Sequence, residues 1–106
     1  MKTIHVKKDF AELPWGRYRK RDGEFSGEVF REDHLVPVLE RGEALLVDFH
    51  GVSEAMGSSF LSESFAGLVT ESHMKISTIK KLLTLEADRP DIEEEIWEYI
   101  EEAEEG

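Results

Sequence analysis

Cysteine is absent from the 106-residue sequence. Its absence excludes disulfide bonds, thiolate metal ligands and a cysteine nucleophile, and it is typical of proteins from a reducing compartment. Long apolar runs are missing as well: none approaches the roughly 20 residues that span a bilayer. The alternating N-terminus MKTIHVKKDF also lacks the apolar core of a signal peptide. The sequence therefore predicts a cytoplasmic protein that does not enter a membrane.

Positive charge is scarce and unevenly distributed. The chain has 13 Lys and Arg against 24 Asp and Glu, a net charge of −11. Residues 1–31 carry eight basic against five acidic side chains, whereas residues 86–106 carry eleven acidic side chains against one arginine. Such a field repels nucleic acid and anionic lipid, because both bind proteins through their phosphates. We therefore expect a protein partner, with no nucleic acid and no membrane.

The hydrophobic pattern predicts a single domain over residues 1–106 of the α/β class. The apolar run 44–49 predicts a central strand covered on both faces, and shorter strand patterns occupy 3–6 and 83–86. Helical periodicity occupies about 27–40, 58–69, 73–81 and the segment from Pro90 onward. The predicted fold is a small mixed β-sheet packed by three to four helices, with residues 1–25 forming an N-terminal strand and a basic loop.

Residues at the ends of these helices refine the prediction. Ser26 is a candidate N-cap, Pro37 is expected to kink or divide its helix, and Gly42 is a candidate C-cap. The tail 101–106 places four glutamates at the negative end of the last helix dipole, so we expect this end to fray.

Signals for chemistry are weak. The four histidines are widely spaced, and no pair shows the spacing of a helical zinc site, so the sequence predicts no metal site and no cofactor. Ser58, Asp48 and His50 are residue types used in acyl transfer, but GSSFL is not a glycine-flanked nucleophile elbow. We therefore predict a protein that is not an enzyme and has no catalytic residues.

The basic run RYRKR, with Arg17, Arg19 and Arg21, has three interpretations. It could bind a phosphate group or single-stranded nucleic acid through stacking and cation contacts. It could instead be a solvated loop that pairs with the acidic C-terminus of the same chain. A third possibility is contact with an acidic surface of a partner, and on this basis the three arginines are candidate partner-binding residues.

The segment VDFHGVSEAMGSSFLSESFAGLV combines a strand, a short loop, a serine pair and an amphipathic helix. This order resembles the STAS fold of anti-sigma factor antagonists, and it is more similar to the STAS-like family DUF4325. The resemblance runs from about Gly16 to Val69 and continues more loosely through the C-terminal helix. SGEVFRE and GSSFLSESFAGL are its most distinctive parts.

The resemblance implies a regulatory, non-enzymatic protein-interaction module that docks a histidine-kinase-like ATPase or a similar signalling partner. In antagonists of this type the kinase phosphorylates a serine at the helix start, which matches Ser59 here, with Ser58 preceding it. The partner-binding candidates near this serine pair are Asp48, His50, Glu54, Gly57, Phe60 and Glu63. Antagonists carry aspartate and glycine where this chain has Gly57 and Phe60.

Two alternatives remain open at the level of sequence. The serines could simply cap the helix, with one hydroxyl accepting a bond from a backbone N–H. The protein could also be a small acidic inhibitor or adaptor that acts through its C-terminal glutamate-rich helix.

Overall fold

The structure, a computed structural model, describes residues 1–105 and contains a three-stranded sheet. Strands β1 (Lys2–His5), β2 (Leu45–Asp48) and β3 (Leu83–Glu86) lie in the order β1-β2-β3, and both neighbouring pairs are parallel. The α/β class and the central position of the apolar strand are thus confirmed. The expected mixed sheet is corrected to a parallel one, because a helix between each two strands carries the chain back to the starting edge.

Within residues 1–105 six helices accompany the sheet, four longer ones of seven residues or more and two of a single turn. In chain order they are α1 (Val6–Asp9), α2 (Arg19–Asp22), α3 (27–40), α4 (58–70), α5 (Ile76–Leu82) and α6 (Pro90–Glu105). Helices α3 and α4 each contain a π-helical segment, Arg31–Leu35 and Ser62–Ala66 respectively. The four long helices agree with the expected three to four, and the predicted helix over 73–81 begins at Ile76.

The sheet is covered on one face only. Ile4, Val47 and Leu85 are partners in register on the covered face, and all three are buried. The alternate residues Thr3 and Thr84 are exposed, and Leu46 between them is half-buried. The prediction of a strand covered on both faces is therefore wrong. The apolar run suggested it because Ala44 and Leu46, which alternate with the buried Leu45 and Val47, are apolar although they are only half-buried.

The helix ends follow the local sequence in most places. The Ser26 hydroxyl accepts a hydrogen bond from the Val29 N–H at 3.4 Å, so the predicted N-cap is confirmed. Pro37 does not end α3; it lies just after the π-helical segment, where the α-helical pattern resumes. Gly42 follows the end of α3 with φ of 75°, a backbone conformation that favours glycine.

Two segments, the basic run near the N-terminus and the acidic tail, differ in detail from the predicted structure. Part of the predicted basic loop forms the single helical turn α2, which ends at the Asp22–Gly23 step. The acidic tail is helical through Glu105, and Gly106 lies outside the described residues. Among residues 1–105, every helix is too short or too polar to cross a membrane.

Candidate functional site

Helix α4 begins with a serine pair that does not cap it. Gly57 is the N-cap residue, with φ of −89° and ψ of 162°, and its lack of a side chain leaves the cap to the backbone alone. Ser58 and Ser59 occupy the first two helical positions, and among residues 1–105 no side chain caps this helix start. The capping prediction is therefore wrong. Ser58 is exposed and Ser59 is half-buried.

The serine pair borders a surface depression, which we call the serine cleft. Its other walls come from Gly57 and from the loop that precedes α3, and they comprise Trp15, Gly16, Arg21 and Asp22. Phe60 lies beneath the cleft with its side chain fully buried. Its assignment as a partner contact is corrected, because its ring packs against Phe10 and Phe30 in the core.

Asp22 holds the loop in front of the serine pair. Its Oδ2 accepts hydrogen bonds from the backbone N–H groups of Arg17 at 2.8 Å and Tyr18 at 3.1 Å. The hydrogen bond from Arg21, helped by those two, lowers the pKa of Asp22 to about 2. Gly16 makes this possible, since a Cβ there would lie 2.5 Å from the Cβ of Asp22. This role of Asp22 has no signal in the sequence, because it depends on how the loop folds back on itself.

Large apolar side chains are exposed on the same loop. Trp15 is 58% exposed, and Leu13, Tyr18 and Phe25 are each exposed by more than two fifths. Their exposure has no signal in the sequence, because the loop has no periodicity that separates a buried face from an exposed one. Exposed apolar residues gathered on one loop are typical of interaction sites.

The arginines of the basic run pair with their own neighbourhood. Arg19 Nη2 lies 3.2 Å from Glu32 and 3.3 Å from Asp33, both in α3, and Arg21 Nε lies 3.0 Å from Asp22. The interpretation in which the run pairs with the C-terminal glutamates is therefore corrected, because Arg19 and Arg21 pair with carboxylates of α2 and α3. Arg21 also lies over the Tyr18 ring, 5.2 Å from its centroid.

Glu63 points into the protein, to the buried Arg31. Arg31 is 3% exposed, and its Nη1 donates to the Glu63 backbone oxygen and to Glu63 Oε2, the latter at 2.8 Å. Arg17 approaches the other carboxylate oxygen at 4.0 Å. The expectation that Glu63 contacts a partner is corrected: its charge is used to neutralise an arginine between α3 and α4.

A second group of polar residues, which we call the strand-edge cluster, lies at the carboxyl end of the sheet. It comprises His5, Asp48, His50 and Glu86. Asp48 Oδ2 is 3.0 Å from His5 Nδ1, and Asp48 Oδ1 is 2.5 Å from His50 Nδ1. The two predicted residues Asp48 and His50 are thus together, but on a different part of the surface from the residues that line the serine cleft.

These contacts change the protonation of the cluster. Burial by itself would raise the pKa of Asp48, but hydrogen bonds from the His50 backbone and from both imidazoles outweigh it and lower that pKa. The hydrogen bond to Asp48 raises the pKa of His50, and the charges of Asp48, Asp88 and Glu86 add to the effect. These contacts therefore favour the ionised carboxylate of Asp48 and the protonated imidazole of His50.

Glu54 lies in a third place, a small depression next to Asp88 and Arg89. The residues predicted as one partner surface are thus distributed over the serine cleft, the strand-edge cluster, this depression and the interior. Gly57 and Arg21 are the members that remain beside the serine pair.

Comparison with known proteins identifies the family. The model of the STAS-like domain of unknown function, DUF4325, matches residues 26–93, well over half of the chain. The chain belongs to this family. The matched region contains α3, the whole of β2 and β3, α4 and the start of α6, so it includes the serine pair and three of the four residues of the strand-edge cluster.

Membership of DUF4325 confirms the resemblance seen in the sequence. A STAS-like domain suggests a regulatory or interaction module, and domains with this fold are generally non-catalytic. Neither the curated proteins nor the solved structures contained a significant match.

Proposed function

We propose that this protein is a regulatory interaction module that docks a signalling partner at the serine cleft, and that phosphorylation of Ser59 switches the docking. The proposed partner is a histidine-kinase-like ATPase, the class that the STAS resemblance implies. The observation that carries the proposal is the exposure of Trp15 directly beside an uncapped, accessible serine pair.

The composition of the cleft suits a protein partner. Tryptophan, tyrosine and arginine are the residue types that most often dominate binding energy at interfaces. Trp15 and Arg21 both border the cleft, and Tyr18 lies under the Arg21 guanidinium. Asp22 fixes the backbone of this loop, so less conformational entropy is lost when a partner binds.

Ser59 is better placed than Ser58 to carry a phosphate. Ser58 lies beside the Tyr99 hydroxyl, which donates to Glu95 at 2.5 Å, so a phosphate on Ser58 would meet that carboxylate. A phosphate on Ser59 would lie at the positive end of α4, in the cleft bordered by the Arg21–Asp22 ion pair, where it would compete with Asp22 for Arg21. It would add a charge of roughly −1.5 to −2 to the docking surface.

The inhibitor or adaptor role remains a second candidate because one observation favours it. Helix α6 presents an acidic, solvent-facing surface whose exposed members are Glu94, Glu98, Glu101, Glu102, Glu104 and Glu105. A basic partner could bind this surface through long-range attraction. Deletion of residues 101–106 separates the two candidates: docking at the serine cleft survives the deletion, whereas the acidic role requires these residues.

Phosphorylation of Ser59 is tested by intact-mass spectrometry. The protein is first incubated with ATP, Mg²⁺ and the histidine-kinase-like ATPase whose gene lies nearest to its own. We expect one added phosphate, lost in Ser59→Ala and kept in Ser58→Ala. Ser77→Ala is a matched control, because Ser77 is an exposed serine at the second position of α5. Absence of phosphate on Ser59, together with unchanged binding of Ser59→Asp, contradicts the switch.

Docking at the serine cleft is tested by measuring the affinity for the same ATPase with titration calorimetry. Trp15→Ala should weaken binding at least about tenfold, as expected for an exposed aromatic anchor. Trp97→Ala is not a suitable control because Trp97 packs against the core, so Lys20→Ala, an exposed change on the same turn, is used instead. Equal affinities for Trp15→Ala and the parent protein would exclude the cleft as the docking site.

A further inference from the structure

Three strand ends place potential metal ligands in one row. His5, Asp48 and Glu86 are the last residues of β1, β2 and β3, and they are partners in register across the sheet. Because side chains alternate along a strand, all three belong to the face opposite the buried Ile4, Val47 and Leu85. The row is therefore open to solvent at the carboxyl edge of a parallel sheet, where ligands of α/β folds usually bind.

The loop after β2 adds a fourth residue. The His50 backbone N–H donates to Asp48 Oδ1 at 2.9 Å, and the Gly51 N–H donates to Asp88 Oδ2 at 3.0 Å. These bonds fold the loop back over the strand end and place the His50 imidazole beside the row. One ligand atom each from Asp48, His50 and Glu86 then lies within 4.8 Å of the others.

We propose that Asp48, His50 and Glu86 bind a divalent transition-metal ion, with Zn²⁺ as the best fit, and that His5 orients Asp48. A zinc ion bound at about 2.0–2.2 Å to each ligand needs donor atoms roughly 3 to 4 Å apart. Side-chain rotation is needed to bring the three donor atoms from their separations of up to 4.8 Å to that spacing. His5 meets the second oxygen of Asp48, the position of a group that orients a metal-binding carboxylate.

The donor set and the surrounding charge both favour such an ion. One imidazole and two carboxylates suit zinc and its neighbours, whereas Mg²⁺ and Ca²⁺ prefer oxygen ligands alone. Asp88 adds a third carboxylate, 3.8 Å from His50 Nε2. Lys7 and Lys8 border the same depression and oppose a cation, but both are exposed and have flexible stems that can turn away.

The proposal departs from the expectation that the chain has no metal site. That expectation was based on the spacing of histidines along the sequence, which detects sites on a single helix. Here the ligands come from two strands and the loop after one of them, so their spacing along the chain carries no signal. The inference is independent of docking at the serine cleft, because the two sites share no residue.

The test uses chelator-treated protein and Zn²⁺ alone, with affinity and stoichiometry measured by titration calorimetry. We expect one Zn²⁺ per chain. His50→Ala and Glu86→Gln should each weaken binding by more than about 100-fold, and His5→Ala by about tenfold, the effect typical of an orienting group. Glu71→Gln and His73→Asn are matched controls at exposed positions; asparagine tolerates the positive φ of 56° at His73.

A second measurement, by NMR, identifies the histidine that binds the ion. Addition of Zn²⁺ should shift the imidazole NMR signals of His50 and leave those of His73 unchanged, while millimolar Mg²⁺ should produce neither effect. Binding that persists in His50→Ala and Glu86→Gln would overturn the proposal. So would the loss of binding in the controls, a zinc-induced shift at His73 alone, or the absence of any binding.

Discussion

Two of the regions in which the protein places opposite charges together, one buried and one exposed, differ in their consequences. Arg31 and Glu63 lie between α3 and α4, with Arg31 almost completely buried. The strand-edge cluster lies on the open face of the sheet, where both imidazoles are more than half exposed. Charges removed from water must be matched inside the protein, whereas charges at the surface remain free to exchange their partner for a ligand.

The surroundings of the buried pair show how much of the fold depends on it. A Cβ on Gly67 would lie 2.0 Å from Arg31 Nη1, and one on Gly27 would lie 2.7 Å from the Phe60 backbone oxygen. Two glycines thus allow α3 and α4 to approach closely enough to enclose an arginine. The Arg31 Nε has no hydrogen-bond partner among residues 1–105. The positive charge of Arg31 is therefore balanced through its Nη1 atom, which contacts the Glu63 carboxylate. Changes here should alter stability, and changes at the strand edge should alter binding.

Removal of the buried carboxylate should have the largest effect. Glu63→Ala leaves a buried arginine without its partner, so we expect the free energy of unfolding to fall by about 3–5 kcal/mol in urea denaturation. Glu71→Ala, at an exposed position just after α4, should change it little. The double variant Arg31→Met with Glu63→Leu should recover most of the loss. A small effect of Glu63→Ala would show that water reaches Arg31.

Filling the space beside the arginine should have the next largest effect. Gly67→Ala forces the guanidinium or the helix to move, and we expect a loss of about 1–3 kcal/mol, typical of overpacking. Gly57→Ala is the matched control, because a Cβ there meets nothing within 4 Å and its φ is negative. Both are measured by thermal unfolding. Alanine is favoured over glycine inside a helix, so a loss in Gly67→Ala comes from contact with Arg31, and no loss would mean that Arg31 moves aside at little cost.

A change at the strand edge should have the smallest effect on stability and a clear effect on protonation. In Asp48→Asn the pKa of His50 should fall toward its usual value near 6.5, because the hydrogen bond and charge that raise it are removed. A raised pKa stabilises the fold at acid pH, and this contribution disappears as pH rises through the folded-state value. Above the folded-state pKa of His50 this contribution is absent from both proteins, so the difference in unfolding temperature between Asp48→Asn and the parent should be smaller there than at acid pH.

Histidine NMR titration in the presence of chelator measures this pKa. An unchanged value for His50 in Asp48→Asn would show that Asp88 and Glu86, rather than Asp48, set the charge of the cluster.

Local patterns in the sequence predicted much of the fold and part of the site. The strand at 83–86, the helix from Pro90 and the Ser26 cap depend on neighbouring residues, and all three are confirmed. The serine pair was also located correctly at the start of a helix. The prediction that a serine caps this helix was wrong, because Gly57 is the N-cap and has no side chain. The prediction that Phe60 contacts a partner was also wrong, because its burial depends on Phe10 and Phe30, which lie far away in the chain.

By itself the sequence determined where strands and helices form, the α/β class and the family, since periodicity, capping and turn preferences act over a few residues. Only the tertiary structure decided that one face of the sheet stays open and that Glu63 points inward to Arg31. It also decided that His5, Asp48 and Glu86 meet in one row. Register between strands depends on which faces become buried together, and that is settled only when the whole chain packs.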